Sequence, residues 1–360
     1  MALRPRPVSR RMGELAAALG VSQADLGSTA DVVISGISLD SRRIVPGDIY
    51  AALSGANVHG AQFVDHVAQA GAAVILTDSD GRQRAEQTGL PVVVVDDPRA
   101  ILGQLSAEVY GNPAEQLAVI GITGTDGKTT TAMLCEAAAS ACGLTTGLIG
   151  TVATRIGQQE VPAIRTTPEA PDLQALLAAM VEAGVDVVAM EVSSHALALG
   201  RVDGVVFDVA VFTNLGHDHL DFHGTQTAYF ETKAELFTSK RSRRQVICVD
   251  DQWGRTLAER TQRAQTYSVP ENLTRGSADW TVDQVAAEGI GWSYQLHAPI
   301  DDSSVNAGCR LPGVFNLRNA VAAVAALTST ALPITVEQAA QAVAQCDGVP
   351  GRMQAVDAGQ

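Results

Sequence analysis

Short apolar runs alternate along this chain with stretches whose apolar residues recur at helical spacing. In the first third, IYAAL, VILTD and VVVVDD read as strands, while AQFVDHVAQAGAA and PRAILGQLSAEVYG read as amphipathic helices. This is the rhythm of a parallel sheet with crossover helices. The turn YGNPAEQ, with Gly111, Asn112 and Pro113 together, interrupts the pattern and predicts a domain boundary, with residues 1–112 on one side and 113–350 on the other. The second domain opens on the strand LAVIGIT. It continues through the helices KTTTAMLCEAAASACG and PDLQALLAAMVEAG and the strands VDVVAMEVS, FDVAVFTNL and RQVICVD. Those strands are apolar throughout rather than alternating, as expected of a sheet covered by helices on both faces. Residues from about 265 to 312 change character. WSYQLHA alternates polar and apolar and LPG ends the stretch, which predicts a small antiparallel excursion before the helix FNLRNAVAAVAALTST. The expected fold class is α/β: an N-terminal α/β domain followed by a P-loop domain with a mostly parallel sheet. No internal repeat or low-complexity segment is present.

A length of 360 residues suits two domains better than one core, and 46% hydrophobic against 18% charged residues is the profile of a compact enzyme. The balance of 25 basic and 39 acidic residues gives a net charge of −14, a field that repels nucleic acid and anionic lipid. A small anionic substrate remains compatible, provided that a few lysines and arginines converge on its charges. The cysteines Cys135, Cys142, Cys248, Cys309 and Cys346 lie far apart without a C-x-x-C pair and read as reduced thiols of a cytosolic protein. The N-terminal segment carries arginines but no signal-peptide pattern, and no window approaches the roughly 20 apolar residues that span a bilayer. The expectation is a soluble, cytoplasmic protein without nucleic-acid or membrane partners.

The chemistry begins with GITGTDGKTTT, residues 121–131. A strand that runs into glycine-rich backbone and then into a helix opening at Lys128 suits a nucleotide triphosphate. Backbone N–H groups and the helix N-terminus face the phosphates, Lys128 reaches the outer ones and Thr129 can ligate Mg²⁺. The standard spacing would place a glycine at Ile122. Here the glycines are Gly121, Gly124 and Gly127, a variant with one extra residue before the lysine.

MEVSSHALALGRV leaves the end of an apolar strand, where open α/β sheets bind ligands. Glu191 there is either a ligand for a hard divalent cation or a solvated strand-end carboxylate. TNLGHDHLDFH gathers His217, Asp218, His219, Asp221 and His223, a set compatible with zinc or with a phosphate and magnesium site; magnesium ranks first beside a triphosphate cradle. YFETKAELF is a short helix on which Lys233, taken alone, reads as a surface lysine. RTTPEAPD, residues 165–172, reads as a cationic, hydroxyl-rich loop or simply as a helix cap. Asn316 and Asn319 in GVFNLRN serve either capping or adenine recognition.

Taken together, GITGTDGKTTT, RTTPE, MEVSSHAL, TNLGHDHLDFHG, YFETKAELF, LPGVFNLRNAVAA and VPGRM resemble the Mur ligases of bacterial peptidoglycan synthesis, in the family's order from Ser38 onward. LDSRRIVPGDIYAALSG and TTPE with EVSSHAL look most like the member that adds the third amino acid. The resemblance implies that ATP and Mg²⁺ are used. Gly124, Thr125, Asp126, Gly127, Lys128, Thr129 and Thr130 would hold the nucleotide phosphates, which Arg352 would face, and Asn316 and Asn319 would be the nucleotide-binding asparagines. Lys128, Glu191, His219 and Lys233 would be catalytic; Thr129, Glu191, His219 and Lys233, the last as a carbamate, would be metal ligands. Leu39, Ser41 and Asn57 would grip the UDP moiety, and Thr166, Thr167, Ser193 and Arg201 the rest of the precursor.

The implied partners are UDP-MurNAc-L-Ala-D-Glu and an amino acid, meso-diaminopimelate by prior and L-lysine as the alternative. The implied reaction joins the D-glutamyl carboxylate to the amine through an acyl phosphate, with residues 1–112 as the precursor domain and 113–350 as the ATPase domain. Residues 351–360 would start a linker to a C-terminal amino-acid-binding domain that the chain lacks, so slow turnover or none is expected. Three positions depart from the family's pattern: Asp126 replaces a frequent asparagine, Leu199 a glutamine that contacts the precursor, and His217 an arginine. The rival expectations are another Mur or folylpolyglutamate-type ligase, a nucleotide-binding module without catalysis, and a plain P-loop hydrolase.

Overall fold

A computed structural model describes residues 4–7, 9–55, 57–162, 165–272, 275–299 and 304–346. The chain divides into two compact units. The first comprises the residues up to 116 together with 168–182 and 198–205; the second comprises 117–167, 183–197 and the remainder from 206.

In the first unit, short strands β1 (Arg10–Arg11) and β2 (Val33–Ile34) pair antiparallel. The four strands β3 (Gly36–Ser38), β4 (Asp48–Ala52), β5 (Val74–Thr77) and β6 (Val92–Val94) form a parallel sheet in chain order. Alternate residues of β4 serve opposite faces. Ile49 and Ala51 join a core with Leu102, Leu105 and Val109, whereas Tyr50 and Ala52 join another with Val64, Val67 and Ala85. The helix Pro98–Val109 starts where it does because Asp97 accepts from the Arg99 and Ala100 amides and proline occupies the first turn. A division at residue 112 does not describe this unit. The turn Pro113–Gln116, the helix Ala170–Glu182 and the segment 198–205 all belong to it. Ala170, Ala175 and Ala178 lie in its core, and Gly103 lets Asp203 approach so closely that a Cβ would stand 2.5 Å from the Asp203 carbonyl oxygen.

The second unit is built on one sheet of eleven strands, ordered β10-β9-β8-β11-β7-β12-β13-β14-β15-β16-β17. These are β7 (Ala118–Thr123), β8 (Thr146–Ile149), β9 (Thr154–Ile156), β10 (Gln159–Val161), β11 (Val187–Glu191), β12 (Phe207–Phe212), β13 (Ser242–Cys248), β14 (Gln265–Ser268), β15 (Trp280–Glu288), β16 (Gly291–His297) and β17 (Ser304–Cys309). From β8 to β15 all pairings are parallel, while β8-β9-β10 and β15-β16-β17 are antiparallel. The expected antiparallel excursion therefore starts at β15, not at residue 265, and extends the same sheet. Gly121 in mid-strand has a packing cause: a Cβ there would lie 2.6 Å from the Phe207 ring. The helices Lys128–Ala141, Val314–Thr328 and Val336–Ala344 share one core with the sheet, with Ala320, Val321, Val324 and Leu327 fully buried. The sequence pattern did not reveal β8, the β9-β10 hairpin or the helices Gln252–Arg260 and Val336–Ala344.

Candidate active site

The crevice lies where the sheet's winding reverses. From β7 the chain crosses to β8 on one side, β11 fills the gap, and β12 then takes the other flank, so three strand ends meet at the loop after Thr123. Gly127 is left-handed at φ 85° and turns this loop into the helix Lys128–Ala141. Its lack of a side chain is also required by packing, since a Cβ there would collide with the Asn319 amide. The loop is held from β12: the Thr125 amide donates to the Asn214 carbonyl (3.0 Å), the Asp126 amide to Asn214 Oδ1 (2.9 Å), and Thr213 Oγ1 to the Asp126 carbonyl (2.6 Å). Lys128 Nζ donates to the Gly124 and Thr125 carbonyls at 2.9 and 2.8 Å. Asn319 accepts from Thr131 Oγ1 and donates to Asn316 Oδ1, while Asn316 Nδ2 closes onto the Pro312 carbonyl at 2.8 Å. The two asparagines therefore brace the phosphate loop and their own helix start.

Glu191 ends β11 and is fully buried. Its carboxylate accepts from Thr129 Oγ1 (3.0 Å), the Thr151 amide (2.7 Å) and Thr151 Oγ1 (3.2 Å). Gly150 permits this approach, for a Cβ there would stand 2.6 Å from Glu191 Oε1. Thr151 Oγ1 in turn lies 3.0 Å from Thr166 Oγ1. Thr167 Oγ1 donates to the Glu191 carbonyl at 2.9 Å and accepts from the Ser193 amide at 3.1 Å, so the threonine loop is tied to the end of β11.

Lys233 corrects the expectation of a surface lysine: it is 1% exposed. Its amine donates to the Gly124 carbonyl (2.9 Å) and Thr123 Oγ1 (3.4 Å) and sits 4.6 Å from the centre of the Tyr229 ring. Burial, and then the neighbouring Lys128 charge, hold it well below the ordinary lysine range. Tyr229 spans to the loop through Thr125 Oγ1 at 3.2 Å. Around it stand His195, His219, Phe222 and His223; His195 meets His219 edge-on with ring centres 4.8 Å apart. Burial, followed by the charges of His195, Lys233 and His219, lowers the His223 pKa.

One cleft of about 900 Å³ is lined by Thr125 to Thr130, Glu191, Ser193, His219, Lys233, Asn316 and Asn319, together with Thr151 and Thr166. Thr129 and Glu191 touch; His219 and Lys233 line the same space with other neighbours. Among the described residues no three His, Cys, Asp or Glu side chains stand together as a metal cage. Leu39, Ser41, Asn57 and Arg201 belong to the first unit, where Arg201 Nε pairs with Glu169 at 2.9 Å. Gly124, Thr167 and the departures Leu199 and His217 are outside the cleft lining, whereas Asp126 is in it and exposed. Arg352 lies outside the described residues. The sequence pattern did not single out Asn214, Thr151, Tyr229 or Ser194, whose buried Oγ has no hydrogen-bond partner among the described residues. Their only signal was proximity to the motifs, because hydroxyls and amides carry no spacing code of their own.

Comparison with known proteins fits this geometry. Residues 122–327 match the Mur ligase middle domain and residues 33–110 the Mur ligase family catalytic domain. The UDP-N-acetylmuramoyl-L-alanyl-D-glutamate–2,6-diaminopimelate ligase of Streptomyces coelicolor is 50% identical over 99% of this chain, which spans 69% of that protein. A solved structure of a ligase of the same name aligns with a TM-score of 0.77 at 28% identity, covering 90% of this chain and 65% of that one. The MurF ligase of Thermotoga maritima, solved in complex with ADP, shares the fold at a TM-score of 0.60 and 21% identity, covering 89% of this chain and 68% of that one. With both halves matched in order and half the residues identical over 99% of its length, the chain belongs to the Mur ligase family.

Proposed function

We propose that this chain serves an ATP-dependent, cytoplasmic ligase that joins UDP-MurNAc-L-Ala-D-Glu to 2,6-diaminopimelate. The observation that carries the proposal is a single cleft in which the phosphate loop, the Thr129–Glu191 pair and the buried amine of Lys233 face Thr166 and Ser193. Diaminopimelate is preferred to lysine on the names of the most similar relatives. The cytoplasmic assignment rests on the nucleotide substrates.

The donor set fits magnesium bound with nucleotide phosphates: Thr129 and Glu191 offer hard oxygen ligands, and among the described residues no histidine or cysteine cage competes. Mg²⁺, when bound, neutralises charge on the phosphoryl group in transfer. The chain's own groups supply the rest. The loop amides and the helix start at Lys128 face anionic oxygens, and Lys128 exchanges its loop carbonyls for phosphate. Burial shifts the Lys233 amine towards its unprotonated form, and addition of CO₂ to that form, with one proton lost to solvent, would give a carbamate whose oxygens are anionic ligands. Phosphoryl transfer to the D-glutamyl carboxylate releases ADP and leaves an acyl phosphate; the amine then attacks the carbonyl carbon and phosphate departs. Thr166 and Ser193 orient the acceptor, Thr167 braces the Ser193 amide from behind the cleft, and His219 lines the cleft with Asp218 3.3 Å from its Nε2.

Calorimetric titration with UDP-MurNAc-L-Ala-D-Glu, UDP-MurNAc-L-Ala and a folate diglutamate, each with Mg²⁺ and a non-hydrolysable ATP analogue, tests the assignment. Selective binding of the dipeptide precursor is expected. Binding of none, or of the folate alone, would overturn it.

A further inference from the structure

Thr151 touches both sides of the cleft. Its hydroxyl lies 3.2 Å from Glu191 Oε2 and 3.0 Å from Thr166 Oγ1, and the same Glu191 oxygen accepts from Thr129 Oγ1 at 3.0 Å. A threonine hydroxyl has one proton to give, and a carboxylate only accepts. The Thr151–Thr166 contact alone allows either hydroxyl to donate, but the bond to the Glu191 carboxylate takes the Thr151 proton, which leaves Thr166 as the donor to Thr151. In this state Thr166 offers only lone pairs to the cleft.

We infer that Thr151 couples the two substrate sites: ligand at the Thr129–Glu191 side and precursor at Thr166 bind interdependently through the direction of one chain of hydroxyl protons. The inference rests on the nucleotide and precursor assignments proposed above. A ligand that competes for the Glu191 oxygens releases the Thr151 proton towards Thr166. Thr166 is then free to donate to an oxygen of the precursor, whose carboxylates and amide carbonyls are acceptors. The expected sign is therefore mutual tightening, equal in both directions because binding linkage is reciprocal. The Thr151 amide bond to Glu191 does not depend on the side chain, so Thr151→Val removes the hydroxyl and keeps the anchor. Thr151 is exposed, so the valine leaves no buried cavity.

The test is a pair of calorimetric titrations on the full chain: UDP-MurNAc-L-Ala-D-Glu with and without saturating Mg·ADP, and Mg·ADP with and without saturating precursor. In the wild type each ligand is expected to tighten the other by about fivefold or more, within the usual range of coupling between sites. In Thr151→Val the factor falls to near one, and Thr151→Ser restores it. A merely structural role would change single affinities but leave the factor intact. Equal coupling in wild type and Thr151→Val, or independent binding of both ligands to the wild type, overturns the inference while leaving the proposed function standing. A wild type that binds neither ligand overturns the function itself and the coupling with it.

Discussion

Two regions of the large sheet, its centre and its β15–β17 end, are made differently. Strands β7, β11 and β12 are buried along nearly their whole length, and their ends carry the phosphate loop, Glu191 and the Asn214 support. Towards the β17 end, β15 begins buried and then alternates into solvent, pairs antiparallel with β16 through a tight turn at Gly289 and Ile290, and contributes nothing to the cleft. Parallel strands all point their carboxyl ends the same way, so helix starts and loop amides accumulate at one edge. An antiparallel meander sends alternate ends to opposite edges and cannot concentrate them. Chemistry in this unit thus follows strand direction.

The largest break in that comparison is Lys233→Met. It removes the buried amine from beside the parallel strands, and any ligase turnover that the chain supports is expected to fall by on the order of 10²–10³-fold, the scale of losing a main electrostatic group. Stability should move the other way. The folded chain holds this amine well below its ordinary 10.5 while the unfolded chain charges it, so wild-type stability rises with pH between the folded and unfolded values. In CO₂-free buffer, Lys233→Met should flatten that slope and unfold no earlier than wild type at neutral pH. Urea melts at several pH values decide the matter, and a steeper slope in the variant would contradict the burial argument.

How much of this was legible depended on local pattern. The central strands and the helix at Lys128 were readable because uninterrupted apolar runs bounded by Gly and Thr have few other solutions. β8 was not, because TGLI is four residues interrupted by glycine, and the helix Gln252–Arg260 hides in a polar sequence that buries only Gly254 and Leu257. The helix Ala170–Glu182 was readable as a helix, but its membership of the first unit was not, since that depends on contacts with distant residues. Lys233 shows the same limit. Its helix was evident, yet its burial beside Tyr229 and Phe230 is a tertiary fact that outweighs the usual exposure of lysine.

A matched pair of core truncations separates stability from binding in the two regions. Leu148 on β8 and Leu296 on β16 are 1% and 0% exposed, so each change to alanine should cost about 2–5 kcal/mol. Leu148 lies two residues before Gly150, which packs against the Glu191 carboxylate, so Leu148→Ala should also weaken Mg·ADP binding. Leu296→Ala should leave it near wild type at temperatures well below the melting point. Equal loss of nucleotide affinity in both variants would mean that strand direction does not isolate the cleft.

The smallest expected effect concerns a single charge. Asp126 is exposed in the cleft lining, and its backbone N–H and C=O are already fixed by Asn214 and Thr213. Asp126→Asn therefore removes a negative charge near the phosphates without releasing the loop. Charges several ångströms apart at a partly solvated surface interact by about 1 kcal/mol, so Mg·ADP should bind the variant about three- to tenfold more tightly at low salt. The gain should shrink as salt is raised, because the interaction is exposed to screening. Glu288→Gln makes the same change in net charge on the exposed end of β15 and should alter nucleotide affinity by less than either figure. If Asp126→Asn instead binds more weakly, its carboxylate faces a cation in the bound state, and the loop's departure from the common asparagine is a source of affinity.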